Sequence, residues 1–121
     1  CVFTRGLDFM PLPIRHGEGK VFTLDRDLVQ RLEAAGCVAC RYADPVTGES
    51  TQEFPHNPNG SLNAIAGICD PTGRIFGLMP HPEAYLYPEN HPQWELQRMN
   101  RTLPEHGLGL AFFRNAVACM S

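Results

Sequence analysis

The sequence predicts one mixed α/β unit. Three observations carry that reading: a helix marked at both ends over 25–36, two apolar runs joined by a tight turn over 64–79, and an amphipathic closing helix over 108–120. A length of 121 residues suits one domain with one core. No repeat, low-complexity tract or linker divides the chain, so 1–121 reads as a single domain.

The elements follow in order. Residues 10–24 read as extended chain, broken at Gly17-Glu18-Gly19, where glycines suit a bulge, a tight turn or a close backbone approach. The helix over 25–36 has Asp25 to cap it, Asp27 in its first turn, and Leu28, Val29 and Leu32 as its apolar stripe. Gly36 stands where a left-handed residue ends a helix. Residues 37–43 read as a strand, 44–50 as a turn of the Asp-Pro…Gly kind, and 51–54 as an antiparallel return. The loop 55–63 is rich in proline and asparagine. Strands over 64–70 and 74–79 flank the turn 70–73. Both are apolar on both faces, which predicts a covered sheet. The stretch 85–107 reads as irregular, with a short helix near 93–99. In the closing helix, Leu110, Phe113, Val117 and Phe112 are expected on the buried side.

Composition excludes several classes of function. Hydrophobic residues make up 43 % and charged residues 19 %, an ordinary globular balance with a net charge of −3. The ten basic residues are scattered, which argues against nucleic acid or an anionic membrane as the main partner. No apolar run approaches the ~18 residues a membrane helix needs, and no secretory signal pattern opens the chain. Five cysteines, an odd count with irregular spacing, fit free thiols in a reducing cytoplasm better than a disulfide framework. Cys37-Val-Ala-Cys40 is formally C-x-x-C, but it lies in a predicted strand, where side chains alternate faces. Buried structural thiols are the expectation there. No histidine pair has metal-binding helical spacing, so no metal is expected.

The chemistry concentrates at "GLMPHPEAY", residues 77–85. Strand ends in open α/β sheets are where ligands sit. A histidine there, His81, can move a proton near neutral pH. Glu83 can accept a hydrogen bond from one ring nitrogen and so fix the tautomer. Pro80 and Pro82 restrict the backbone between them. A solvated surface turn is the competing reading. A second cluster, His16-Gly17-Glu18-Gly19, suits backbone approach to a ligand or another domain. Asn59, in the turn sequence Asn59-Gly60, is a candidate substrate contact. Tyr85, Tyr87 and Trp94 either face a partner or cover the core.

Three motifs together resemble one family: LPIRHGEGK over 12–20, FPHNPNGSLNAIAGICDPTGRIFGLMPHPE over 54–83, and FFRNAV over 112–117. It is the class I glutamine amidotransferase (glutaminase) domain of phosphoribosylformylglycinamidine synthase, an enzyme of purine biosynthesis. The resemblance spans nearly the whole chain. It implies a flavodoxin-like three-layer sandwich with a mixed sheet and helices, of which this chain is the C-terminal part. It also implies that His81 and Glu83 serve a cysteine nucleophile that attacks glutamine, with the ammonia passing to a synthetase domain or subunit. ATP and Mg are then expected on that separate synthetase domain, with no cofactor bound by this chain.

Two departures from the family pattern stand out. The nucleophile belongs in a Gly-x-Cys-Asn-Gly elbow upstream of HGEG, and none of the five cysteines has that setting. Alanine at 84 replaces the arginine expected after His-Pro-Glu. The opening on Cys1 fits a fragment. The leading expectation is therefore a chain inactive alone, with an exposed strand edge and apolar surface, that forms a homo-oligomer when isolated. A non-catalytic amidotransferase-like docking module is the alternative. A metal-dependent hydrolase using His81, Glu83 and His91 is a third reading.

Overall fold

A computed structural model describes residues 1–121. Three helices and three strands make up the regular structure: α1 (Arg26–Ala34), β1 (Val38–Arg41), β2 (Ile65–Cys69), β3 (Phe76–Leu78), α2 (Trp94–Met99) and α3 (Leu110–Met120). The strands form one sheet in the order β1-β2-β3, antiparallel throughout. The chain is α/β, compatible with part of a flavodoxin-like amidotransferase sandwich. These three strands are antiparallel neighbours, and the parallel members a mixed sheet requires are not among them.

Helix α1 forms as its end signals predict. The Asp25 carboxylate accepts from the backbone N–H of Asp27 and Leu28 at 2.9 and 3.1 Å, a cap that contributes about 1 kcal/mol. Gly36 takes φ 69°, the left-handed conformation that lets the chain leave the helix at low steric cost. Cys37 N–H then donates to Leu32 C=O at 2.9 Å and carries the chain into β1. Val29 is the buried member of the stripe, whereas Leu28 stays exposed.

The hairpin of β2 and β3 forms where expected. Asp70 closes its turn, accepting from Thr72 Oγ1 at 2.6 Å and from the N–H groups of Arg74 and Ile75, each at 2.9 Å. The return strand at 51–54 does not form. It shrinks to an isolated Ala43–Ser50 bridge and one bond from Thr51 N–H to Tyr42 C=O, because the chain then turns at Glu53, whose C=O accepts from Asn57 N–H at 2.9 Å. Residues 10–24 are extended, with no strand ladder of their own.

The sheet is less covered than the doubly apolar strands suggest. Only 15 residues of 121 are buried, and Ile75 is 73 % exposed. A small core of Tyr42, Ala64 and Ala66, with Cys40 and Met79 against it, sits on the sheet. The rings of Phe3, Phe76 and Phe112 stack in sequence, with centroid distances of 5.4 and 6.1 Å, and tie the N-terminal segment, β3 and α3 together. This stack explains the rotation of α3. Phe112 is buried, while Phe113 and Val117 are 43 % and 59 % exposed, so the expected inward stripe is corrected by one position. Asn115 fixes the rotation by donating to Phe3 C=O and Arg5 C=O at 2.9 and 2.8 Å.

Candidate active site

The site is built where β3 runs out. Met79 N–H makes the last sheet bond, to Ala66 C=O at 2.8 Å. Pro80 cannot continue the ladder, and two residues on the chain turns through the single 3₁₀ turn Pro82–Ala84. His81 precedes that turn. Its N–H is taken by Pro13 C=O at 2.8 Å, so the extended segment before HGEG braces the strand end. Proline at the first position of the turn has no N–H to leave unpaired. On the other side Gly109, just before α3, lies directly against the Pro82 carbonyl, with no room for a side chain. The α3 entry thus sets the height of the His81–Glu83 turn.

Within that turn the two ionisable side chains meet. His81 Nδ1 lies 2.5 Å from Glu83 Oε1. The imidazole is 35 % and the carboxylate 52 % exposed, so both stay open to an incoming group. The hydrogen bond from His81 holds the Glu83 carboxyl below the usual carboxylate range. Its own backbone N–H and the Arg15 charge add to this. An ionised Glu83 accepts only, so Nδ1 is the donor and the lone pair of neutral His81 falls on Nε2. Glu83 is the side-chain partner of His81, and no cysteine shares a hydrogen bond with that imidazole. An imidazole held in this way can take up a proton at Nε2.

Of the other candidates, His16 is brought closest. Its ring centroid is 6.1 Å from that of His81, at an interplanar angle of 40°. Gly19 presses on it: a Cβ there would stand 2.6 Å from His16 Cδ2, so this glycine packs on the imidazole of its own motif. His16 Nε2 is buried without a partner. Asn59 joins indirectly, its Nδ2 donating to Gly19 C=O at 2.9 Å. Glu18 is exposed and makes no hydrogen bond or ion pair, so the geometry leaves it apart from the group. His91 accepts from Gln93 N–H and tilts against the Tyr85 ring at 5.8 Å; it does not converge with His81 and Glu83. No three His, Cys, Asp or Glu side chains gather as metal donors would, which removes the support for the hydrolase reading. The aromatic cluster divides, Tyr85 being buried and Tyr87 exposed.

Sequence reasoning missed the support beneath Asn59. Asn57 and Ser61 are both buried. Asn57 Nδ2 donates to Ser61 C=O at 3.0 Å, and its Oδ1 accepts from Ser61 N–H at 2.9 Å. The Ser61 hydroxyl donates to Ile65 C=O at 2.6 Å and accepts from Val21 N–H at 2.9 Å. This small network locks the loop to the segment just after HGEG. The following Asn63 and Ala64 take φ 49° and 57°, a left-handed pair costing about 1–2 kcal/mol per residue. The only signal in the sequence was the density of short polar residues in 57–63.

A family model for the CobB/CobQ-like glutamine amidotransferase domain matches residues 1–120. The chain belongs to that family. Among curated relatives, a phosphoribosylformylglycinamidine synthase subunit PurQ from Methanococcus maripaludis is 42 % identical over 97 % of the chain and 45 % of that protein. A subunit of the same name from Dehalococcoides mccartyi is 42 % identical, covering 97 % of the chain and 42 % of that protein. The phosphoribosylformylglycinamidine synthase of Saccharomyces cerevisiae is 44 % identical over 68 % of the chain and 6 % of its own length. The chain therefore spans less than half the length of these relatives. The amidotransferase family expected from the HGEG and His-Pro-Glu motifs is the family found.

Proposed function

We propose that this chain is the C-terminal part of the glutaminase domain of a phosphoribosylformylglycinamidine synthase, with His81 as proton carrier and Glu83 as its orienter. The observation that carries the reading is the Nδ1–Oε1 hydrogen bond, which leaves the lone pair of a neutral, partly exposed His81 on Nε2 at a braced strand end. Nε2 takes the proton of a cysteine thiol lying outside these residues, and the thiolate attacks the side-chain amide carbon of glutamine. The imidazolium returns that proton to the departing nitrogen, which leaves as ammonia and a glutamyl thioester. His81 then deprotonates the water that attacks the thioester carbonyl and returns that proton to the cysteine sulfur as glutamate leaves. Glu83 stabilises the imidazolium in both halves without itself taking the proton.

Several consequences belong to this proposal. The isolated chain hydrolyses no glutamine, because a base and orienter without a nucleophile retain little of a covalent mechanism. The ammonia serves a synthetase domain or subunit that carries ATP and Mg, and the setting is cytoplasmic. His16 and Asn59 shape the rim facing substrate or a neighbouring domain. The alternative, a docking module without catalysis, draws on Ala84 and on the absence of a cysteine bonded to His81.

The test joins this chain to the N-terminal segment of the Methanococcus maripaludis relative and measures ammonia release from glutamine. Activity in the chimera, none in the chain alone, and a loss of at least ~10³-fold in the His81→Ala chimera are expected. An active chimera indifferent to His81→Ala refutes the assignment. A folded chimera that binds the synthetase but releases no ammonia selects the docking module.

A further inference from the structure

Three thiols lie on or beside the β1–β2 pair, and two of them are placed for a bond that no amidotransferase step uses. Cys69 N–H donates to Cys37 C=O at 2.8 Å, continuing the Val38–Ile68 pairing, so the two cysteines stand directly opposite across antiparallel chains. Opposed residues present their side chains on the same face. Both thiols also lie over the turn between α1 and β1. Cys37 Sγ points to Ala35 C=O at 3.8 Å and Cys69 Sγ to Gly36 C=O at 4.0 Å, adjacent carbonyls of one turn. Cys37 N–H turns to Leu32 C=O, so the two cysteines share one bond at the end of the ladder, and opposed residues of antiparallel chains have Cα atoms about 4.5–5.5 Å apart, inside the range a disulfide spans.

We propose that Cys37 and Cys69 form an oxidative modification site, closing to an intramolecular disulfide on exchange with a low-molecular-weight disulfide such as oxidised glutathione. The Cys37 thiolate attacks one sulfur of the reagent and displaces the first reagent thiol. The Cys69 thiolate then attacks the Cys37 sulfur and displaces the second. The protein dithiol loses two electrons and two protons, and the reagent disulfide becomes two thiols. Both cysteines are buried, so the rate follows opening of the α1–β1 turn rather than the intrinsic reactivity of the thiols. Cys40 is the near competitor. It faces Gly67 between two register shifts, and burial with the neighbouring Cys69 pushes its thiol up to about 11.

The test uses the folded 121-residue chain with oxidised glutathione, followed by alkylation, trypsin and mass spectrometry. Peptide 32–41 carries Cys37 and Cys40, and peptide 42–74 carries Cys69, so variants must separate the partners. Linkage of the two peptides within one chain is expected in the parent and in Cys40→Ser. It should be absent in Cys37→Ser and Cys69→Ser and reversed by dithiothreitol. Oxidised Cys40→Ser should melt higher than its reduced form by roughly 5 °C or more. A link that survives in Cys37→Ser, one found only between chains, no link at all, or a lowered melting point overturns the assignment.

Discussion

His81 and Glu83 meet at 2.5 Å, Nδ1 to Oε1, across the single turn Pro82–Ala84. With Glu83 ionised, this bond fixes which imidazole nitrogen is basic. Glu83→Gln keeps the shape but can turn its carboxamide NH₂ toward Nδ1 and so favour the wrong tautomer. In the chimera with the Methanococcus maripaludis segment, glutamine hydrolysis by Glu83→Gln should fall by roughly 10²- to 10⁴-fold in kcat. In the isolated chain, nitrogen NMR should show the His81 Nδ1–H form giving way to a mixture. Unchanged kcat and an unchanged tautomer would remove Glu83 from the orienting role.

Gly109 tests the scaffold beneath that pair. A Cβ at this position collides with the Pro82 carbonyl, and the backbone on both sides is hydrogen-bonded, with Gly109 N–H to Tyr85 C=O at 3.0 Å. The clash is relieved only by moving α3 or the His81–Glu83 turn. Gly109→Ala should therefore lower stability by about 1–3 kcal/mol and shift the His81 and Glu83 resonances. Gly17→Ala, where a Cβ meets nothing within 4 Å, is the control expected to change little. Equal effects of the two substitutions in chemical denaturation would contradict this view of the packing.

These positions show how much the chain discloses before it folds. The caps of α1, the Asp70 turn and the β2–β3 hairpin were legible because each is specified by neighbours a few residues apart. His81 and Glu83 were legible for the same reason, their geometry being set by the turn between them. The 51–54 strand failed because the chain turns at Glu53 instead, and the Asn57–Ser61 contact that settles this turn forms only in the folded chain. The α3 stripe failed by one position, since Phe112 and Phe113 are equally apolar and the Phe3–Phe76 stack decides between them. Gly109 and Asn57 could not be read at all, because their partners Pro82 and Ser61 matter only through contact in the folded chain.

Asn57 offers a separate stability test. Asn57→Ala removes both bonds to the Ser61 backbone. The Gln52 carboxamide, with its nitrogen toward Ser61, still reaches Ser61 C=O at 3.2 Å, so the N–H is the group left stranded. A buried unpaired donor costs about 1–3 kcal/mol, which the urea midpoint should report. Exchange of the Ser61 and Val21 amides should quicken as well, since the Ser61 hydroxyl accepts from Val21 N–H. A midpoint within error of the parent would mean the network is dispensable.

Acid stability should carry the mark of Asp70. The Thr72 hydroxyl, then the backbone N–H of Ile75, Thr72 and Arg74, hold its carboxyl down from 3.8 to about 2. A carboxyl depressed on folding contributes stability in full above its unfolded value and loses it as pH falls through its folded value. The Asp70 contribution is therefore intact above about pH 4 and disappears toward pH 2. Thermal melts of Asp70→Asn against the parent should differ most above that window and converge below it. Parallel curves across the range would show that the turn does not depend on the Asp70 charge.

The exposed face of α3 makes the last prediction. Phe113, Val117 and Met120 are 43 %, 59 % and 81 % exposed, and with Leu110 they follow helical spacing along one side. Arg114 is the helix's only charged side chain, so little opposes apolar contact there. The isolated chain should self-associate with rising concentration, as seen by light scattering during size exclusion. Phe113→Asp with Val117→Asp should return it to a monomer while leaving the Phe112 stack and the circular dichroism spectrum in place. If the parent stays monomeric at all concentrations, self-association through α3 is wrong. If the double variant still associates, another exposed patch, such as that around Phe22 and Leu24, is responsible.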